Sequence, residues 1–243
     1  MRIRLILAMA AVLAGNAHAT AEEAAVTPLT CLLSPVRTSE IGSDHIGLVA
    51  LVAVRRADRV LAGDVLVELD PAVVQAQMAL EQVSIDGLRA KLARSEGLVA
   101  RKLVAAEEVE QLRTDLKVAE ATLERSRIAL EQTRIVAPFD GVVAEVMVTE
   151  GELTGSDPLV RLVETLQLRA EMVFVDAAFG KIAVGQQVTL SLDLIGANVT
   201  ATVTAIDPFL DPASNTFLVS AMVENGDGAI PAGIGCRVSG WGG

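Results

Sequence analysis

The 243-residue chain contains no tyrosine, one tryptophan and five phenylalanines. It therefore lacks the aromatic platforms on which nucleic-acid and sugar binders stack their ligands. Histidine is almost as scarce, with only His18 and His45. A Ser-His-Asp site would have to be built on His45 beside a strand start, and a solvent-facing or hydrogen-bonded His45 is the simpler reading. The two cysteines, Cys31 and Cys236, stand far apart, so no cysteine-histidine metal motif is present. Positive charge is in deficit, with 20 Lys and Arg against 31 Asp and Glu. That balance repels nucleic acid and anionic lipid. No segment after the first 20 residues approaches the roughly 20 consecutive apolar residues that a membrane-spanning helix needs. No catalytic residue, cofactor site or metal site is expected, and the carboxylates Glu107, Glu108 and Glu110 read as a solvated helix face.

The chain begins with Arg2 and Arg4, an apolar run from Leu5 to Leu13, and the small-residue triplet Ala17-His18-Ala19. This is the pattern of a secretory signal peptide cut after Ala19. Its apolar core is about half the length of a membrane span. A lipid anchor would need a cysteine at the cut, and the first cysteine is Cys31. Removing 19 of the 243 residues leaves 224, and the leader takes two basic and no acidic residues, so the mature formal charge is −13. A soluble periplasmic protein is expected. In an oxidising compartment, Cys31 and Cys236 read as a disulfide, the other reading being two separately buried thiols.

An internal repeat dominates the rest. GLVALVAVRRADRVLAGDVLVELD, from Gly47 to Asp70, recurs without a gap as GVVAEVMVTEGELTGSDPLVRLVE, from Gly141 to Glu164. Gly47, Val49, Ala50, Val52 and Val54 match Gly141, Val143, Ala144, Val146 and Val148. Each copy reads as a strand of alternating valines, a polar turn and a second apolar strand. Two such halves close one small β-sandwich.

Between the copies the period changes. Val74, Met78, Ile85, Leu88, Leu92 and Val99 step by three and four, with Glu81 and Ser95 as polar interruptions. Val109, Leu112, Leu116, Ala119, Leu123 and Leu130 do the same, with Ser126 as the exception. Two heptad stripes joined by a tight turn predict an antiparallel coiled-coil hairpin. Helices of about 26 residues rise roughly 40 Å, so the hairpin projects well beyond the sandwich. Pro71 and Pro138 punctuate its ends. Gly87 and Gly97 each weaken the first helix by about 1 kcal/mol relative to alanine. A hairpin that only stiffens the molecule is the competing reading.

Beyond Glu164 the period returns to two, as in Val188-Leu190-Leu192 and Val199-Ala201-Val203-Ala205, with turns at Gly185, Asp207-Pro208, Asn225-Gly226 and Pro231. These predict a compact β-barrel. Asp176 is placed to cap a short helix through about Ile182, and Leu29 to Leu33 reads as a further strand that a disulfide would fasten beside the last one. The fold class is mainly β with a long helical insert. The expected division is a signal peptide over 1–19, an N-terminal segment with the first barrel strand over 20–35, half-sandwiches over 36–70 and 134–165, a hairpin over 71–133 and a barrel over 166–243.

A split biotinyl/lipoyl-like sandwich with an inserted hairpin and a following barrel resembles the periplasmic adaptors, or membrane fusion proteins, of the HlyD-like family. The resemblance runs from about Cys31 to Val238. Its most specific stretches are Thr133-Arg134-Ile135-Val136-Ala137-Pro138-Phe139-Asp140-Gly141 and Ile230-Pro231-Ala232-Gly233. It implies a non-enzymatic adaptor of a tripartite efflux pump, with an inner-membrane transporter of the resistance-nodulation-division (RND) type and an outer-membrane channel as partners. It also implies a homo-oligomer, hexameric by the family pattern. ATP-driven exporters use such adaptors too. A carrier domain, which shares the half-sandwich repeat, would need a lysine at the joint between its halves, and Asp70-Pro71 and Pro138-Phe139 offer none.

In the family the hairpin tip docks the channel through an Arg, a Leu four residues on, and a Ser seven further. Arg94 and Leu98 fit that pattern, but Ala105 stands at the serine position. A serine there would cap the second helix, with Glu108 completing a capping box. Ala57 occupies the turn position held by Gly151 in the second copy, so a differently shaped first turn is expected. About 11 mature residues precede Cys31 and seven follow Cys236, too few for a membrane-proximal domain, which leaves the barrel to meet the transporter. The leader generates a direct expectation: periplasmic protein begins at Thr20 by intact-mass measurement, and a retained Met1 or an added lipid mass overturns it.

Overall fold

The computed structural model describes residues 26–99, 103 and 105–242; the leader predicted over 1–19 lies outside them. The repeat folds as two facing sheets. One has the strand order β2 (Thr38–Ile41), β8 (Val160–Val163), β7 (Gly141–Val146), β4 (Arg59–Val60), and the other β3 (Val49–Val52), β5 (Val65–Leu69), β6 (Arg134–Val136). The alternating valines and leucines meet between them, with Val49, Leu66, Val67, Val143, Val160 and Leu162 buried.

Each half completes a sheet of the other, and the two exchanges are equivalent. Arg59 pairs with Val142 on one side, and Leu48 with Leu153 on the other. The Ala57 N–H donates to the Val143 carbonyl at 2.8 Å, as the Gly151 N–H does to Val49 at 2.9 Å. The sandwich thus has an internal two-fold symmetry that the repeat encodes. The shared glycine has a steric reason at Gly141, where a Cβ would sit 2.5 Å from the Val163 carbonyl oxygen.

Symmetry also corrects the expectation about the first turn. Ala57 adopts φ 72°, close to the 83° of Gly151, so the turn keeps its shape. Paired backbone hydrogen bonds on the equivalent turns impose the left-handed conformation, and alanine bears a cost of about 1–2 kcal/mol there.

The remaining strands form one sheet in the order β13 (Ile234–Gly235), β1 (Thr30–Pro35), β9 (Gln167–Val175), β12 (Thr216–Glu224), β11 (Ala197–Ile206), β10 (Gln187–Leu192), β14 (Arg237–Trp241). The edge strands β13 and β14 are consecutive pieces of one segment, so the sheet closes on itself as a barrel. Alternate residues fill it, among them Leu168, Ala170, Met172 and Phe174 from β9 and Phe217, Val219, Ala221 and Val223 from β12. Cys31 on β1 is bonded to Cys236 between β13 and β14, with their Cα atoms 4.9 Å apart. The helix expected from Asp176 to Ile182 is a single 3-10 turn, Asp176–Ala178, and Asp176 lies inside it rather than at its cap. Its N–H is taken by the Asn215 carbonyl at 2.9 Å, and Phe179 is already extended, at φ −62° and ψ 132°.

Two helices, α1 (Ala72–Val99) and α2 (Ala106–Glu131), leave the sandwich together. On α1 the stripe Val74, Met78, Glu81, Ile85, Leu88, Leu92 and Ser95 is buried or half-buried, as is the α2 stripe from Val109 to Leu130. Two polar interruptions meet: the Ser126 hydroxyl donates to Glu81 Oε1 at 3.0 Å, beside the Gln77 amide at 2.9 Å. Glu81 Oε2 is buried without a partner. Arg89–Glu120 at 2.6 Å and Arg113–Glu96 at 2.7 Å cross between the helices, but pairs this exposed contribute little.

Two outcomes follow for stability. Ala57→Gly relieves the left-handed strain, partly offset by glycine's greater unfolded-state freedom, and raises unfolding free energy by about 0.5–1 kcal/mol in denaturant titration. Replacing both members of the polar layer, Glu81→Leu with Ser126→Ala, removes a half-satisfied carboxylate and stabilises by roughly 1–2 kcal/mol in the same titration. A loss of similar size instead would show that this layer stabilises the hairpin.

Candidate docking surfaces

The chain runs end to end. β1 passes into β2 through Pro35–Thr38, and β8 passes into β9 through Val163–Gln167, so these links mark the sandwich-facing end of the barrel. β2 then leads away to a loop in which Asp44 accepts a hydrogen bond from Gln132 at the base of α2, 3.0 Å. Barrel and hairpin therefore leave the sandwich at opposite ends.

At the hairpin end, Arg94 is exposed and Leu98 is 38% exposed. They lie one turn apart and so share a helix face. Leu103, in the turn, is 68% exposed and extends this apolar surface. Ala105 sits across the turn as the N-cap of α2, extended at φ −71° and ψ 142°, with no side-chain cap. Its carbonyl accepts the Glu108 N–H, at 3.2 Å. Glu107 and Glu108 in the first turn place negative charge at the positive helix end, which partly replaces the missing hydroxyl. The hairpin thus gathers Arg94 and Leu98 on one face, with Ala105 on the neighbouring helix. The bonded Cys31 and Cys236 lie in the barrel and take no part in the tip.

The opposite extremity carries a surface that the sequence reading did not single out. Leu29 (62% exposed), Phe179 (49%), Phe209 (67%) and Leu210 (42%) are all exposed. They cluster because Thr30 pairs with Val173, and Val175 with Thr216, at the end of the barrel away from the sandwich. Phe179 packs edge-on against Phe217 at 5.2 Å, which in turn stacks with Phe174 at 5.9 Å, so the rim is anchored in the core. Asp211 shapes the loop that presents Phe209 and Leu210. Its carboxylate accepts the N–H groups of Ala213 at 2.8 Å and Ser214 at 3.1 Å, and these bonds hold its pKa below the usual carboxylate value. The signal available beforehand was the pair Phe209-Leu210 inside Asp207-Pro208…Asp211, an apolar pair in an otherwise polar turn.

His45 is exposed and bonds to Asp44, Nδ1 to Oδ1 at 2.7 Å, while the neighbouring Ser43 hydroxyl donates to the His45 backbone carbonyl at 2.7 Å. The described residues contain no group of three or more His, Cys, Asp or Glu placed to hold a metal. Among them, no helix is long and apolar enough to cross a membrane. What the geometry presents is exposed apolar side chains at two opposite ends.

Residues 37–163 match the model of the RND MFP (membrane fusion protein) barrel-sandwich hybrid domain. An uncharacterized Haemophilus influenzae protein is 28% identical over 201 residues, 82% of this chain and 53% of its own length. The multidrug resistance protein MdtA of Klebsiella pneumoniae is 25% identical over 244 residues, 88% of this chain and 58% of its own. The chain spans about half the length of these relatives. Among solved structures, a MacA-MexA chimera containing the Pseudomonas aeruginosa MexA α-hairpin domain superposes with a TM-score of 0.76 at 22% identity, covering 88% of this chain and 77% of the chimera. That likeness shows a shared fold. With its family domain matched over residues 37–163, just over half of its length, the chain belongs to the RND membrane fusion proteins.

Proposed function

We propose that this chain is the periplasmic adaptor of a tripartite efflux system, joining an inner-membrane RND transporter to an outer-membrane channel for export of small molecules. One observation carries the reading: the exposed tip around Arg94 and Leu98 and the apolar rim around Phe179 and Phe209 stand at opposite extremities. Helix α1 alone, with 28 residues, reaches about 40 Å. In this reading residues 36–70 and 134–165 form the sandwich, 71–133 the hairpin that meets the channel, and 20–35 with 166–243 the barrel that meets the transporter. The protein performs no chemistry. It binds at both ends and transmits position between them, and several copies, six by the family pattern, surround a conduit.

At the tip, Arg94 supplies a charge-assisted hydrogen bond and Leu98 an apolar contact. A hydrogen bond to a charged group is worth about 1.5–3 kcal/mol, so Arg94→Asp is expected to weaken channel binding at least tenfold. Leu98→Ser gives a smaller loss. Both variants should keep wild-type abundance, melting behaviour and cross-linking to the transporter, while export and cross-linking to the channel fall. Wild-type export from both would leave the hairpin as a spacer and overturn the docking role.

A further inference from the structure

The barrel wall is hydrogen-bonded throughout except at one place. Long ladders, such as the nine pairs of β9 with β12, hold the middle of the sheet. The closing segment has much less. Its β13 part meets β1 over two pairs, Leu32 with Gly235 and Leu33 with Ile234. Its β14 part meets β10 with a register shift between Thr189 and Leu190. Among the described residues no ladder joins β1 to β14. Cys236 stands at the fork where the segment leaves β1 for β10, and its N–H donates to the Cys31 carbonyl at 2.9 Å. The Cys31–Cys236 disulfide therefore spans the fork.

Both cysteines are half-buried and pack against the barrel core. Cys31 lies two residues before the fully buried Leu33, on the same face of β1. Trp241, the one tryptophan of the chain, sits on the closing segment 6.1 Å from Phe174 and donates to the Val26 carbonyl at 2.8 Å. Phe174 stacks on Phe217, against which Phe179 of the exposed rim is packed. When the fork opens, the core loses Trp241 and the rim loses its backing. The two cysteines are 205 residues apart, so their bond forms only after both half-sandwiches, the hairpin and the other barrel strands have been made. Two cysteines allow a single pairing, so no isomerase is needed to sort alternatives. Left to uncatalysed exchange, a disulfide step takes minutes to hours, and for that time the barrel core stands open at the fork.

We infer that the chain is a substrate of a dithiol-disulfide oxidase, and that oxidation of Cys31 and Cys236 is the last step of its folding and latches the barrel shut. The Cys31 thiolate, first to emerge, attacks the disulfide of the oxidase. One enzyme sulfur joins Cys31 as a mixed disulfide and the other leaves as a thiolate. When β13 pairs with β1, the Cys236 thiolate attacks the Cys31 sulfur and expels the second enzyme sulfur. Two electrons pass from the chain to the enzyme, whose two sulfurs take up the two protons that the cysteines released. The finished bond is half-buried against the core, where an attacking thiolate reaches it poorly, so the latch closes more readily than it opens. The oxidising compartment rests on the adaptor reading above; the fork is read from the strand pairing.

The test follows the full chain in cells and after purification. In cells lacking periplasmic dithiol-oxidase activity, a maleimide reagent should label both cysteines, and in normal cells neither. Cystine added to the medium should restore the unlabelled form. Cys236→Ser should hold the oxidase on Cys31 as a mixed disulfide that a reductant releases. In the purified protein, reduction and alkylation should move the Trp241 emission to longer wavelength and lower the melting temperature by about 10 °C or more. Amides of β13 and β14 should then exchange about tenfold faster or more, while those of Leu69 and Val143 in the sandwich keep their rates. The variant Cys31→Ala with Cys236→Ala, which carries no alkyl group, should behave alike. Oxidation at the same rate with and without the oxidase would overturn the inference, as would an unchanged Trp241 spectrum after loss of the bond. Wild-type chain found in the cytoplasm with both thiols free would overturn the adaptor reading as well.

Discussion

Every part of the molecule depends on the pairing of β5 with β6, two strands separated in sequence by the whole hairpin. Val65 faces Val136 and Glu68 faces Arg134, and the Leu69 N–H donates to the Thr133 carbonyl at 2.8 Å. If the inserted segment were flexible, joining these strands would cost the closure entropy of a long loop. The coiled coil removes most of that cost, because its own stripes zip the two arms together and deliver Asp70 and Thr133 side by side. The sandwich in turn holds the helix bases together, so each stabilises the other.

The same economy governs the barrel. Its first strand and its closing segment come from opposite ends of the described chain, and only their meeting gives the sheet two neighbours for every strand. The Cys236 N–H donates to the Cys31 carbonyl at 2.9 Å beside the disulfide, and the Trp241 indole donates to the Val26 carbonyl at 2.8 Å. Between barrel and sandwich, Arg37 bonds Glu164 at 2.6 Å and lies 4.4 Å over the Phe139 ring. Arg59 reaches across to lie against Gly228, where a side chain would collide with its guanidinium.

Much of this was legible beforehand because it is written in local period. The valine alternation, the shared glycines and the three-and-four stepping of Val74 to Leu92 and Val109 to Leu130 follow from backbone geometry alone. Even Glu81, Ser95 and Ser126 fell on the seam as expected. Where the reading fell short, neighbours distant in sequence decided the outcome. The Asp176 helix stops after one turn because Phe179 turns extended, its ring packed edge-on against Phe217, and Ala57 takes a glycine's conformation because β7 holds it there. The rim of Leu29, Phe179, Phe209 and Leu210 is assembled from three separated stretches, none of which is conspicuous alone.

By itself the sequence determined which residues alternate, which step along a helix and where the helical insert interrupts the repeat, since these depend on residue type and spacing within a few turns. Only the tertiary structure decided that the two halves exchange strands about a two-fold axis, that one segment closes both edges of the barrel, and that Glu81 meets Ser126. Those are matters of register between distant segments, and register is set by which pairings satisfy backbone hydrogen bonds and bury apolar faces at the same time.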